Sequence, residues 1–269
     1  MAIDRMTPDR LIAMKQAGQT IVALTAYDWP TAEVEQAVGV DVILVGDSLG
    51  TVVLGEQTTL KVTMDVMIAH CAAVARAEGR ALLVGDMPFL STTVSVAEAV
   101  RNAGRFVAEG NMHAVKVEGG AVMAPVIEAI VRAGIPVLGH IGYTPQQTLK
   151  FGRKVVRGRG EEAAAIVRDA EAVEQAGAFA VVLECIPLEL AKRITGHVSI
   201  PTIGIGSGPH CDGQVLVVHD MLGLFDTPLK HVKQYANLKA DMRTAVERYA
   251  AEVRSRAFPD EGHSFHDTK

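Results

Sequence analysis

Short apolar, β-branched runs alternate along this chain with longer amphipathic segments. That alternation predicts βα units around a parallel sheet. Eight candidate strands fall near residues 20–27, 41–47, 80–86, 112–118, 135–140, 178–184, 200–205 and 215–219. The segments between them carry helical spacing. From Met64 to Glu78 the apolar set Met67, Ile68, Cys71, Val74 and Ala75 lies on one helical face. The segment Glu161 to Gln175 opens on acidic residues and closes on Ala176-Gly177, a good helix stop. Gly39, Gly79, Gly110, Gly134 and Gly177 each precede a strand, where a helix ends and the chain reverses.

Eight such repeats in 269 residues predict an α/β fold of the (β/α)8 TIM barrel type, with an open doubly wound sheet as the alternative. Thr7 to Ala17 is expected to be a helix capping the barrel bottom, and His231 to Arg256 a long, charged C-terminal helix. The tail from Phe258 is expected to be extended and to dock on a neighbouring surface. No Gly/Ser/Pro-rich linker interrupts the chain, so residues 1–269 read as a single domain.

Composition narrows the function classes. Nearly half the residues are apolar (49%), enough for a sizeable core, while aromatic residues make up only 4%, too few for a base- or sugar-stacking platform. The formal charge is −5 and no basic run is sustained, which argues against nucleic acid as a partner. Cys71, Cys185 and Cys211 are scattered, without metal-binding or redox spacing, and fit a reducing compartment. The N-terminus carries no apolar signal core and no apolar stretch reaches membrane-spanning length, so a soluble, cytoplasmic protein is expected.

The candidate chemistry lies in the polar residues that close the apolar strands: Asp28, Asp47 with Ser48, Asp86, Lys116 with Glu118, His140, Glu184 and Ser207. In a barrel these ends form the C-terminal face, where active sites sit. The runs ending in Asp47 and Asp86 both finish Val-Gly-Asp, in what reads as one register. Each aspartate alone suits a helix N-cap; together with Glu118 they suit a hard divalent cation such as Mg2+. Lys116 and Glu118 share strand parity, so both point to one face, as substrate and metal groups or as a buried ion pair. His140 reads as a core histidine or a substrate contact. Glu184 ends a fully apolar strand, a poorly solvated setting that favours a general base, with a salt bridge to a neighbouring strand as the alternative. Cys185, next to it, reads as a core thiol. Gly204-Ile205-Gly206-Ser207-Gly208 reads as a tight turn or a phosphate cradle, and lacks both complete phosphate-loop patterns.

Seven motifs in order resemble the ketopantoate hydroxymethyltransferase family. They are Thr25-Ala26-Tyr27-Asp28, Val45-Gly46-Asp47-Ser48-Leu49-Gly50, Gly85-Asp86-Met87-Pro88-Phe89, Val115-Lys116-Val117-Glu118-Gly119-Gly120, Gly139-His140-Ile141-Gly142-Tyr143-Thr144-Pro145-Gln146, Leu183-Glu184-Cys185-Ile186-Pro187, and Gly204 to Gly208 followed by Cys211-Asp212-Gly213-Gln214. The match runs from about residue 7 to the Phe258–Phe265 tail. Ser207 stands where the family often has alanine.

The resemblance implies a barrel of the phosphoenolpyruvate/pyruvate type. Its implied activity is transfer of a hydroxymethyl group from 5,10-methylenetetrahydrofolate to 3-methyl-2-oxobutanoate, giving 2-dehydropantoate through a Mg2+-stabilised enolate in pantothenate biosynthesis. It further implies that Asp47 and Asp86 bind Mg2+, with Glu118 a ligand through water. Ser48, Lys116 and His140 would hold the oxoacid, and Glu184 would be the catalytic base. A homodecamer of two stacked pentamers follows by the same analogy. The alternative is a Mg2+-dependent lyase or mutase acting on a pyruvate-like acid, but the chain has no Lys-Lys-Cys-Gly-His segment. The folate-binding residues are not identified by pattern; the loop Phe151 to Gly160, with Arg153, Lys154, Arg157 and Arg159, reads as a solvated basic lid or a hold on the folate tail.

Overall fold

The structure is a computed structural model that describes residues 4–152, 155–226 and 229–267. Its contacts divide into two compact units, one ending at Val217 and the other spanning Val218–Lys269. In the first unit β1 (Ile21–Thr25), β2 (Val42–Val45), β3 (Leu82–Asp86), β4 (Ala114–Glu118), β5 (Val137–Gly142), β6 (Ala180–Glu184), β7 (Thr202–Ile205) and β8 (Gly213–Leu216) pair in parallel. They close into a barrel when β8 pairs back onto β1. The same unit holds α1 (Pro8–Gln16), α2 (Trp29–Val38), α3 (Leu49–Val52), α4 (Met64–Val74), α5 (Val96–Ala108), α6 (Ala124–Arg132), α7 (Thr148–Phe151), α8 (Glu162–Gln175) and α9 (Leu188–Thr195). All eight expected strands are present, most of them trimmed at the ends; β8 lies a little earlier than its apolar run suggests. Helices α4 and α8 also match their predicted segments.

The barrel is filled from below. Ile21, Ala23, Val42, Leu44, Leu82, Val84, Ala114, Leu138, Ala180, Val182, Ile203 and Val215 pack with Met6, Leu11 and Phe179 into one buried cluster. Helix α1 closes this end, as its sequence predicts. Thr7 caps it by accepting from Arg10 N at 3.4 Å, and Leu11 enters the cluster. Lys15 ties the helix down through Thr195 O (2.9 Å), Ile200 O (3.0 Å) and Asp212 Oδ2 (3.0 Å). Asp212 therefore serves the bottom of the barrel, where it also accepts from Thr202 N at 2.8 Å.

The second unit carries α10 (Val218–Met221) and α11 (Leu238–Ser255). The long helix is shorter than the predicted His231–Arg256, because Asn237 caps it by accepting from Ala240 N at 3.4 Å. Met242, Val246, Tyr249 and Val253 of α11 are exposed. The tail is not simply extended: it contains a 3₁₀ turn over Glu261–His263, and the Phe258 ring meets Tyr249 (centroids 5.8 Å apart) and His263 (5.3 Å). Among the described residues no helix is long and apolar enough to cross a membrane.

Candidate active site

The interior parity that fills the barrel bottom continues to its C-terminal mouth. On β3, Leu82 and Val84 lead to Asp86; on β4, Ala114 leads to Lys116 and Glu118. Leu138 leads to His140 on β5, and Ala180 and Val182 lead to Glu184 on β6. Alternation alone thus aims five polar side chains into one space.

Asp47 is the exception, and it corrects the sequence reading. The two Val-Gly-Asp endings are not in one register: the β2–β3 ladder pairs Val45 with Gly85, so continuing it sets Asp86 against Gly46. Asp47 lies one step further out, beyond the end of β2. The offset lets its backbone N–H reach Asp86 Oδ2 at 3.0 Å. Neither aspartate caps a helix. Ser48 precedes α3 without a side-chain cap bond, and its Oγ lies 2.8 Å from Tyr27 Oη. Asp28, by contrast, is a plain N-cap of α2, accepting from Thr31 N at 2.9 Å.

The buried cluster is tightly paired. Lys116 Nζ lies 2.9 Å from Asp86 Oδ1, 3.6 Å from Glu118 Oε1 and 3.0 Å from His140 Nδ1. His140 Nδ1 is also 3.4 Å from Glu118 Oε1, and Nε2 lies 3.1 Å from Glu184 Oε2. Asp86 Oδ1, Glu118 Oε1 and His140 Nε2 meet these partners at ion-pair distance but without hydrogen-bond alignment. The neutral His140 ring accepts from Lys116 at Nδ1 and keeps its proton on Nε2, facing Glu184; the protonated ring carries a proton on both nitrogens, with Glu118 at ion-pair distance from Nδ1.

Burial drives the electrostatics. It raises Asp47 well above the usual carboxylate range, reinforced by Asp86 and Glu118, and it raises Asp86 against the pull of Lys116. Burial acts on Glu118 too, but Lys116, His140 and the Gln146 backbone outweigh it and hold that carboxyl low. Burial opposes the charge on Lys116, yet Asp86, Glu118 and Asp47 keep it firmly protonated. For His140, burial and Lys116 favour the neutral ring, but Glu118 and Glu184 prevail and lift it to about 9.

Ionised together, Asp47, Asp86 and Glu118 would set three negative charges against one lysine, and the raised Asp47 and Asp86 are the mark of that excess, which a bound cation would relieve. Every donor of the three acids is oxygen. That set fits a hard divalent cation. Among the described residues no three His, Cys, Asp or Glu side chains form a ready-made cage. Mg2+ does not need one, since it usually takes one or two carboxylates and keeps several waters.

Glu184 is not the lone carboxylate its sequence suggested. His140 of the neighbouring strand lies beside it, and at 18% side-chain exposure Glu184 is more open than Asp86 or Glu118, a placement that leaves both the base and the salt-bridge readings standing. Gly142 makes this junction possible. Its φ is 94°, and a Cβ there would lie 2.3 Å from Glu184 O, so only glycine lets β5 end against β6. Cys185 is buried, and burial together with the Glu184 charge pushes its thiol up to about 12, as expected of a core cysteine. The glycine-rich loop after β7 behaves as a tight turn: Ser207 Oγ donates to Leu183 O at 2.7 Å and is buried.

The basic loop is partly docked and not simply a solvated lid. The Arg157 guanidinium stacks 3.7 Å from the Phe151 ring centroid and pairs with Glu162. Arg153 and Lys154 lie outside the described residues. One residue of the site was not predicted. Gln146 Nε2 donates to Asp47 Oδ2 (3.0 Å) and Met87 O (2.9 Å), and its backbone N donates to Glu118 Oε2 (3.1 Å). The sequence signal available for it was a proline-led turn just after β5, which folds a polar side chain back over the mouth.

Comparison with known proteins agrees with this architecture and goes further. The fold resembles phosphoenolpyruvate phosphomutase from Streptomyces platensis subsp. rosaceus, with TM-score 0.63, 16% identity and 92% and 88% of the two chains covered. It also resembles a 2,3-dimethylmalate lyase, with TM-score 0.61, 14% identity and 96% and 91% covered. Curated relatives are far more similar in sequence. The 3-methyl-2-oxobutanoate hydroxymethyltransferase of Moorella thermoacetica is 55% identical over 263 residues, covering 97% of this chain and 98% of that one. The enzyme of the same name from Syntrophus aciditrophicus is 52% identical over 264 residues, covering 97% of each. The family model for ketopantoate hydroxymethyltransferase matches residues 5–261. A match of that extent, spanning every strand of the barrel and every acid at its mouth, means that the chain belongs to the ketopantoate hydroxymethyltransferase family.

Proposed function

We propose that this chain transfers a hydroxymethyl group from 5,10-methylenetetrahydrofolate to 3-methyl-2-oxobutanoate, giving 2-dehydropantoate for pantothenate biosynthesis. The observation that carries the reading is the division of labour at the mouth. A buried cluster of three acids around one lysine lies beside a separate, more open glutamate paired with a histidine.

Asp47 and Asp86 would hold Mg2+, with Glu118 acting from further out. When bound, the cation supplies Lewis-acid polarisation of the oxoacid's keto group, worth several kcal/mol in typical sites. Ser48, Lys116 and His140 would hold the oxoacid, with Ser48 Oγ oriented by Tyr27. Glu184 would remove the proton from C3, a step that contributes about 10²- to 10⁴-fold for a well-placed base. His140 Nε2, at 3.1 Å from Glu184 Oε2, would steady that carboxylate. Lys116, charged throughout, sets positive potential where negative charge develops. The C3 carbon would then form the new C–C bond to the one-carbon unit; both carbon–nitrogen bonds to the folate break, water supplies the hydroxyl oxygen, and the C3 proton and one water proton go to the two folate nitrogens as tetrahydrofolate leaves. The chain would act as a single-domain subunit of a cytoplasmic homodecamer.

The test is proton exchange. In D2O with Mg2+, the protein is expected to exchange the C3 hydrogen of 3-methyl-2-oxobutanoate and to release tetrahydrofolate once methylenetetrahydrofolate is added. Absence of both would sink the reading.

A further inference from the structure

We propose that Gln146 is a positioning residue that sets Asp47 and Glu118 at their working separation and so prepares the carboxylates for a divalent cation. The inference rests on the cation site proposed above. Asp47 needs such a partner. It lies beyond β2, so no strand pairing aims its side chain, whereas Asp86 and Glu118 inherit their direction from the ladder.

The geometry is specific. The orientation of the Gln146 amide is fixed by chemistry, because Met87 O can only accept and the nitrogen must face it. Met87 is itself anchored, its N–H donating to Lys116 O at 3.1 Å. The same amide nitrogen then reaches Asp47 Oδ2, while the Gln146 backbone N–H takes Glu118 Oε2. One residue therefore engages one oxygen of each carboxylate and leaves Asp47 Oδ1 and Glu118 Oε1 uncommitted to it. Its own placement is rigid. Pro145 opens the 3₁₀ turn Pro145–Gln147, and Gln147 N closes it on Thr144 O at 2.9 Å. Donors of this kind orient metal ligands, and their loss typically costs about 10- to 100-fold in affinity or activity.

Gln146→Met keeps the length of the side chain and removes its donors; Gln146→Asn keeps the amide but shortens its reach. Mn2+ binding, read by electron paramagnetic resonance without substrate, is expected to weaken about 10- to 100-fold in Gln146→Met and measurably in Gln146→Asn. The Mg2+ activation constant should rise by a similar factor, while kcat at saturating Mg2+ changes far less. A purely structural role would instead lower the urea midpoint and leave the metal constant alone. Unchanged or tighter Mn2+ binding in both variants overturns the inference, and if Gln146→Met fails to fold, Gln146→Asn decides it alone. Wild-type protein that binds no Mn2+ would overturn the cation site itself and this inference with it.

Discussion

At the N-terminal end of the barrel, the interior is closed by Leu82, Ala114, Leu138 and Val182 under a helix that inserts Leu11. A step or two along the same strands, the same interior face carries Asp86, Lys116, Glu118, His140 and Glu184. Both ends are buried and both are packed, but different physics holds them. The lower end gains from removing apolar surface from water, and any side chain of the right volume serves. The upper end opposes solvation, and only mutual compensation keeps its charges inside. Stability should therefore be concentrated below and activity above, on one continuous set of strands.

Three substitutions can break or sharpen that contrast. The largest effect is expected at the top: Glu184→Gln should lower kcat by about 10²- to 10⁴-fold while oxoacid and Mg2+ binding persist. Steady-state kinetics with parallel calorimetry would check it; retained turnover would remove Glu184 as the base. At the bottom, Leu11→Ala should cost about 2–5 kcal/mol of stability in urea unfolding and leave kcat/KM near wild type. A matching kinetic loss would mean that the two ends are not separable.

The smallest effect isolates what compensation is worth. Glu35 of α2 is a buried carboxylate without hydrogen-bond partners among the described residues, and burial, with the Asp28 charge adding, raises it to about 8. Its raised folded pKa means that the folded state holds the proton more tightly than the unfolded chain. Stability linked to Glu35 is complete below the ordinary glutamate value of 4.5 and is lost as pH rises through about 8. Glu35→Gln should flatten that slope and gain about 1 kcal/mol at pH 7, part of the benefit being cancelled by the unpaired amide. Unfolding curves between pH 5 and 8 would show it; an unchanged slope would assign the pH dependence elsewhere.

The contrast also explains what was legible beforehand. Barrel strands are buried on both faces, so they read as apolar runs, and all eight were recognisable with frayed ends. The terminal polar residues were legible for the same reason, since Asp86, Lys116, Glu118, His140 and Glu184 break otherwise apolar segments. Spatial pairing was not. The register between β2 and β3 is set by the stagger of a closed barrel, so two identical Val-Gly-Asp endings look aligned and are not. The His140–Glu184 contact joins neighbouring strands through no local pattern. Gln146 reaches an aspartate 99 residues away from a loop without periodicity. In the C-terminal unit, helical spacing extended the long helix past a cap that belongs to Asn237.

The shared parity of core and site has an evolutionary and folding consequence. A one-residue slip in β4 would turn Ala114 out of the apolar cluster and, in the same movement, withdraw Lys116 and Glu118 from the mouth. An insertion within such a strand cannot disable chemistry while sparing the fold, or the reverse. Errors of register are thus exposed to cellular quality control as unfolded protein instead of persisting as inert enzyme, and the loops beyond the strand ends, Gln146 among them, are where the site can vary without that penalty.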